Sequence, residues 1–376
     1  MFRRLTACLL LTAAAVAHAD AELQQFLQQS LSDARAGANL PAVAALVQIN
    51  GRIEAQAAVG VRALDHDRPV TLDDRWHLGS DTTAMTATLL ARLVDQGVLR
   101  FEDTLAQCFP GLASHMDPAL SNVTIAQLLS HTSGLAPLSD ARDLAVFDAV
   151  IKTERGMRAQ RAAVALYYLI RPPASKAGEF AYSNLGYVIA GAIAEARTGR
   201  TWEELIRAEV WKPLGITHAG FGPPGKSRKF DQPLGHEELD GRLVALDPAE
   251  PRSDNPQALG PAGTINISLT DWLLFAQDQL DGLHGRGKLL KAATYRTLHT
   301  PLTKNYAMGW GVLLDKDGAV SMLTHSGSNG YWVADLRIMP RHDMIILAVT
   351  NAGGPKAEGA MRELGKTLRL RLKPFD

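Results

Sequence analysis

The chain has 376 residues, 46% of them hydrophobic and 21% charged, ordinary globular values that allow a sizeable core in one large composite domain or two smaller ones. Lysine plus arginine and aspartate plus glutamate each number 39, so the formal net charge is zero. No broad basic surface is available to neutralise phosphates, and nucleic acid is not an expected partner.

Residues 1–19 open on Arg3 and Arg4, run through an apolar stretch from Leu5 to Ala17, and close on Ala17-His18-Ala19, the small-x-small pattern of a signal-peptidase site. The run is shorter than the about 18 residues needed to cross a bilayer. The expectation is a cleaved signal peptide and an exported mature chain, periplasmic or secreted, that begins at Asp20. Cys8 lies inside the apolar run rather than after it, which speaks against lipid modification. Cys108 is then the single mature cysteine and no intramolecular disulfide can form. No later segment is long and apolar enough to span a membrane.

A polar helix is expected from Ala21 to Ala36. Val43 to Ile49 and Ile53 to Val61 read as strands joined by Asn50-Gly51, a pair suited to the positive φ angles of a tight hairpin. A mostly helical stretch follows: Thr86 to Val94, Ile125 to Leu129, Ala162 to Ile170 stopped by Pro172, Leu185 to Ala196 stopped by Gly199, and Trp202 to Val210. Met308 to Leu314, Val320 to His325, Tyr331 to Met339 and Met344 to Val349 read as further antiparallel strands, and Ala357 to Leu370 has helical spacing. Strands, then helices, then strands predict an α+β fold, with an antiparallel sheet built from both chain ends and flanked by helices. The mature chain, 20–376, is expected to be one catalytic domain. Its sheet part covers about 20–80 and 300–376, and a mostly helical subdomain covers about 81–299.

Chemistry concentrates first at Trp76-His77-Leu78-Gly79-Ser80-Asp81-Thr82-Thr83, where an extended segment ends and an amphipathic helix begins. The helix N-terminus carries partial positive charge and favours negative charge developing on Ser80. Taken alone, a serine at such a position is more commonly an N-cap. Further along lie Leu129-Ser130-His131-Thr132-Ser133-Gly134-Leu135, Tyr182-Ser183-Asn184-Leu185-Gly186-Tyr187 and His325-Ser326-Gly327-Ser328-Asn329-Gly330. With Trp211-Lys212-Pro213-Leu214-Gly215-Ile216, Pro261-Ala262-Gly263 and Met308-Gly309-Trp310-Gly311, their order and spacing resemble the class C β-lactamase and esterase-like branch of the serine β-lactamase and penicillin-binding protein family. The resemblance runs from about Leu23 to Leu370.

It implies a β-lactamase/transpeptidase-like fold and a serine hydrolase that needs no cofactor. Ser80 would attack an acyl carbon and Tyr182 would exchange protons with it and with the leaving group. Asn184 would orient substrate beside Gly327 and Ser328, and the backbone N–H groups of Ser80 and Ser328 would form an oxyanion hole. His325 would line the substrate side. A tyrosine acts as a base only where positive charge stabilises its phenolate, and in the family that charge comes from a lysine one helical turn after the serine. Here the position holds Thr83, which does not ionise. The departure bears on activity rather than fold, since a missing proton-transfer group costs ~10²- to 10⁴-fold in rate. His325, with an ordinary pKa of ~6.5, is a candidate to carry part of the missing charge, and its weak hold on a carboxylate favours esters, amides or small peptides over β-lactams.

The expected partner is therefore a small-molecule or peptide substrate. A catalytically silent protein that binds a peptide or cell-wall fragment in the same cleft is the alternative reading. Gly220 to Ser227 fits the letters of a phosphate-binding loop but lacks a following helix. None of the eleven histidines forms a metal-binding motif, and His131 reads as a structural hydrogen-bonding residue.

Overall fold

The computed structural model describes residues 21–138 and 141–372. The expected signal peptide, residues 1–19, and the expected first mature residue, Asp20, lie outside the described residues. Residues 21–38 are helical, and β1 (Ala42–Ile49), β2 (Arg52–Ala63) and β3 (His66–Pro69) follow. Asn50 and Gly51 both take positive φ, +51° and +73°, as the hairpin between β1 and β2 requires. β4 (Arg75–His77), β5 (Ala219–Phe221) and β8 (Ile265–Ser268) make a small sheet, and β6 (His236–Leu239) and β7 (Arg242–Ala245) a hairpin. The last third of the chain supplies β9 (Gly311–Leu314), β10 (Val320–Ser328), β11 (Val333–Met339) and β12 (Met344–Thr350).

The main sheet has the order β3-β2-β1-β12-β11-β10-β9, and its pairs are antiparallel. This is the α+β architecture expected from the sequence. β1 is apolar almost throughout because both its faces are covered. Ala42, Ala44 and Leu46 pack into the core shared with the helical half. Val43, Ala45 and Val47 pack with Leu27, Leu31, Met361 and Leu364 from the two terminal helices.

The central helices fall where periodicity placed them, with some differences in extent: Thr82–Asp95, Ile125–Leu129, Met157–Leu169 and Asn184–Thr198. The stretch expected as one helix from Trp202 begins as α-helix over Trp202–Leu205 and widens to a π-helical turn over Ile206–Trp211. The helix Leu269–Leu283, with Ser268 as its N-cap, was not anticipated. Gly220 to Ser227 runs from β5 into turns with no helix, which removes the phosphate-loop reading. Among the described residues no helix is long and apolar enough to cross a membrane.

Two features of the sheet shape the site. β9 pairs with β10 only over Val320–Thr324, so the side of β10 facing away from β11 is free of β9 from His325 to Ser328. The free stretch lies against the turn that starts the Thr82–Asp95 helix. The two backbones touch through glycines. A Cβ on Gly327 would lie 2.0 Å from the Leu78 carbonyl oxygen and 2.7 Å from the Ser80 nitrogen, and one on Gly79 would lie 2.4 Å from the Ser328 nitrogen. Gly79 also has φ +52°, so it is required both for its conformation and for the close approach.

Candidate active site

Ser80 sits in a 3₁₀ turn, Gly79–Asp81, that leads directly into the helix Thr82–Asp95. The N-cap position of that helix falls on Asp81, and no side chain caps it, so the N-cap role for Ser80 does not hold. Ser80 instead faces Tyr182, close enough for its side chain to oppose the rise in the Tyr182 pKa.

Tyr182 is placed by its neighbours in sequence. Ser183 caps the helix Asn184–Thr198, its Oγ accepting the Gly186 N–H and donating to the Ala136 carbonyl at 2.6 Å. The Ser183 N–H donates to His131 Nδ1 at 3.1 Å, and the His131 ring stacks on Tyr182 with centroids 4.1 Å apart. His131 is thus a structural support, as its sequence position implied. Asn184 begins the helix, half-buried, beside Tyr182.

Thr83 is fully buried. Its hydroxyl donates to the Ser80 carbonyl at 2.7 Å, so it supports the turn and does not address the Ser80 hydroxyl. Its oxygen also lies 3.2 Å from His325 Nε2. His325 Nδ1 donates to the Ser326 carbonyl at 3.1 Å, which leaves Nε2 as the acceptor for the Tyr306 hydroxyl at 3.1 Å. Tyr187, whose hydroxyl donates to the Leu129 carbonyl at 2.6 Å, closes the group against Tyr306 and Thr83.

The expectation that His325 lines the substrate side and supplies charge is corrected here. The residue is 6% exposed and its Nε2 is engaged inward. Burial holds its pKa at about 4, so the ring is neutral at pH 7. Burial likewise holds His131 at about 3. Asp81 is buried 3.9 Å from His325 Nδ1, and both its oxygens lack a hydrogen-bond partner in the structure. Burial, reinforced by Asp335, pushes its carboxyl well above the usual range. Tyr182 is also raised, chiefly by burial and, to a lesser degree, by Asp81, against the lowering effect of Ser80. Lys176 is exposed on its loop. Both imidazoles near Ser80 are thus held neutral at pH 7.

Sequence reasoning did not single out Tyr306, Tyr187 or Asp81. Asp81 and Tyr187 stood inside segments already noted, and Tyr306 stands just before Met308-Gly309-Trp310. Their roles follow from the convergence of three distant segments on one imidazole.

A serine at a helix start, a tyrosine facing it from a loop in the helical half, and a sheet strand closing the third side define the architecture of the serine penicillin-recognising proteins. A model of the β-lactamase family matches residues 20–368, and the chain belongs to that family. It is 29% identical over 337 residues to penicillin-binding protein 4 of Amycolatopsis lactamdurans, covering 87% of this chain and 84% of that protein. It is 23% identical to protein flp of Staphylococcus aureus, matching 83% of this chain but 60% of that longer protein. Among solved structures, SurE superposes with a TM-score of 0.72 at 24% identity, covering 94% of this chain and 76% of that one. An octameric penicillin-binding protein homologue from Pyrococcus abyssi also gives 0.72, at 22% identity, covering 92% and 77%. These structural likenesses bear on the fold.

Proposed function

We propose that the protein is an exported serine hydrolase that cleaves an ester, amide or peptide bond through an acyl-enzyme on Ser80, with proton transfer as its slow component. The observation that carries this reading is the packing of the Ser80 turn, at a helix start, against Gly327 and Ser328, with Tyr182 facing Ser80 closely enough to feel its side chain. An acyl carbonyl beside Ser80 meets the backbone amides of Ser80 and Ser328, and stabilisation of a developing oxyanion by such donors is usually the largest contribution to acyl transfer. Asn184 holds the substrate's amide or ester side. The minor phenolate form of Tyr182 takes the Ser80 proton as the Oγ–acyl carbon bond forms, and the resulting phenol gives that proton to the leaving group as its bond to the acyl carbon breaks, regenerating the phenolate.

This step is slow because, among the described residues, no cation acts on the Tyr182 phenol to favour phenolate, Thr83 being neutral and His325 buried as the free imidazole. A neutral His325 also offers no fixed charge for a substrate carboxylate, which favours uncharged acyl groups. Intact-mass measurement after incubation with a fluorophosphonate or an activated ester tests the reading. The expected result is one covalent adduct, lost in Ser80→Ala.

The lack of charge around Ser80 favours a second reading, in which the cleft binds a peptide or cell-wall fragment without turning it over. Absence of any adduct, together with saturable binding of such a fragment, would support it.

A further inference from the structure

The two segments whose amides flank Ser80 are joined by a residue that neither segment contains. His77 ends β4 and is 1% exposed. Its Nδ1 accepts the Gly79 N–H at 3.1 Å, so the ring proton resides on Nε2, and Nε2–H donates to Asp254 Oδ2 at 3.0 Å. The other carboxylate oxygen, Asp254 Oδ1, accepts Asn329 Nδ2–H at 2.8 Å and the Asn255 N–H at 2.7 Å. Asn329 directly follows Ser328, and its own Oδ1 accepts the Tyr331 N–H at 3.1 Å. One carboxylate therefore spans the nucleophile's turn, through His77, and the end of β10, through Asn329.

The loop carrying Asp254 gains little packing on one side. With Glu203, Glu250, Ser253 and Asn255 it borders a cavity of about 380 Å³. On its far side the loop is held to the helical half, where the buried Arg161 pairs with Glu195 and Glu203 and donates to the Ala258 carbonyl at 3.1 Å. The Asp254 side chain, 7% exposed, is held by the Asn255 N–H and by two arms, His77 and Asn329, that reach it from the turn and from the strand. Hydrogen bonds to an ionised acceptor are roughly twice as strong as neutral ones. The glycine contacts stop the turn and the strand from closing further, whereas the carboxylate stops them from sliding apart.

We infer that Asp254 is a positioning residue for acyl transfer at Ser80: it sets the spacing between the Ser80 and Ser328 amides by gripping His77 on one side and Asn329 on the other. The inference rests on the proposed acyl-enzyme reading. Two donors aimed at one oxyanion lose their advantage when either drifts, and a misplacement of about 1 Å costs roughly 10²-fold. Asp254 touches no substrate, so its loss lowers the rate of attack and leaves substrate binding largely unchanged.

The test measures the rate of Ser80 labelling by a fluorophosphonate, and kcat and KM for a small activated ester, in the full chain. Asp254→Ala is expected to lower labelling and kcat by about 10- to 100-fold with KM changed less than about threefold. Asn329→Asp places two carboxylates face to face and should lower them by a similar factor. The exchange pair Asp254→Asn with Asn329→Asp restores an amide-to-carboxylate bond and keeps an oxygen for His77 Nε2–H but turns its amide towards the Asn255 N–H, so it should be clearly faster than Asn329→Asp while falling short of the unsubstituted rate. Circular dichroism melting confirms that each variant is folded. If Asp254→Ala fails to fold, Asn329→Asp and the exchange pair decide the matter. An unchanged labelling rate in Asn329→Asp, or an exchange pair no faster than Asn329→Asp, overturns the role of Asp254 while leaving the acyl-enzyme reading intact. An unsubstituted protein that takes no label overturns both.

Discussion

The two sides of Ser80 are built on opposite principles. On the amide side, Gly79, Gly327, Ser328 and the His77–Asp254–Asn329 bridge form a tight, fully bonded frame around backbone donors whose dipoles are independent of pH. On the proton side, Thr83, Tyr306, His325, His131 and Asp81 crowd together, burial holding both imidazoles neutral and pushing the Asp81 carboxyl up. On the proposed reading, the donors that would stabilise an oxyanion and the charge that would drive proton transfer are separable within one fold.

The sharpest way to break the comparison is to damage the amide side alone. A methyl group on Gly327 would sit 2.0 Å from the Leu78 carbonyl oxygen, forcing the strand and the nucleophile's turn apart. Gly327→Ala is expected to lower fluorophosphonate labelling by about 100- to 1000-fold, the worth of one oxyanion donor. A melting curve separates this loss from unfolding.

The proton side should respond in the other direction. Thr83→Lys alone would push a long side chain into the space where Thr83 and Tyr306 already converge on His325, at a stability cost of about 1–3 kcal/mol. Combined with Tyr306→Ala, which opens that space, it supplies the missing cation. Ester turnover is then expected to rise by about one to three orders of magnitude, and Ser80→Ala in the same background should abolish the gain. An unchanged rate in a folded double variant would favour the binding reading.

A third test uses pH. Because burial holds His325 at about 4, below the ordinary ~6.5 of an unfolded histidine, the unfolded chain takes up a proton first as pH falls through that window. His325 therefore contributes stability that is present above about pH 6.5 and is lost on acidification towards pH 4. Asp81, raised by burial, acts with the opposite sign above the ordinary carboxylate range, so the clean comparison is between variants. His325→Gln should lose less melting temperature between pH 7 and 4.5 than the unsubstituted protein. The rate profile of the unsubstituted protein should lack a limb near 6.5, and a limb there would show a charged His325. The smallest effect is expected at Asn184, which starts its helix at the rim of the cleft: Asn184→Ala should raise KM by about three- to tenfold and change kcat less.

Much of the fold was legible because its signals are local. Asn50-Gly51 fixes a hairpin by backbone conformation alone, and the apolar runs at both chain ends have strand length and composition. Ser80, Tyr182 and the β10 segment were legible as an ordered set, and the structure brings them together. The charge state of His325 was not, because nothing local says whether an imidazole at a strand end faces solvent or is buried under Tyr306. The Asp254 bridge was equally hidden. It joins residues 177 positions apart through a loop with no periodic pattern, and only the folded chain brings them together. The helix Leu269–Leu283 had a local signal, Ser268 ahead of Asp271, that was passed over.

The centre of the main sheet is also its most distant pairing in sequence. β1 lies against β12, and the Thr350 hydroxyl donates to the carbonyl of Ala42, 308 positions earlier. During synthesis the β1–β2 hairpin therefore waits with one long apolar edge open until nearly the whole chain is available. Long-range β pairing of this kind slows folding and exposes the unpaired edge to other chains. The helical middle, rich in short-range contacts, is free to collapse first and bring the two ends within reach. A chain cut short before Met344 would lack the strand that fills the middle of the sheet, leaving two half-sheets with facing edges and a strong tendency to aggregate.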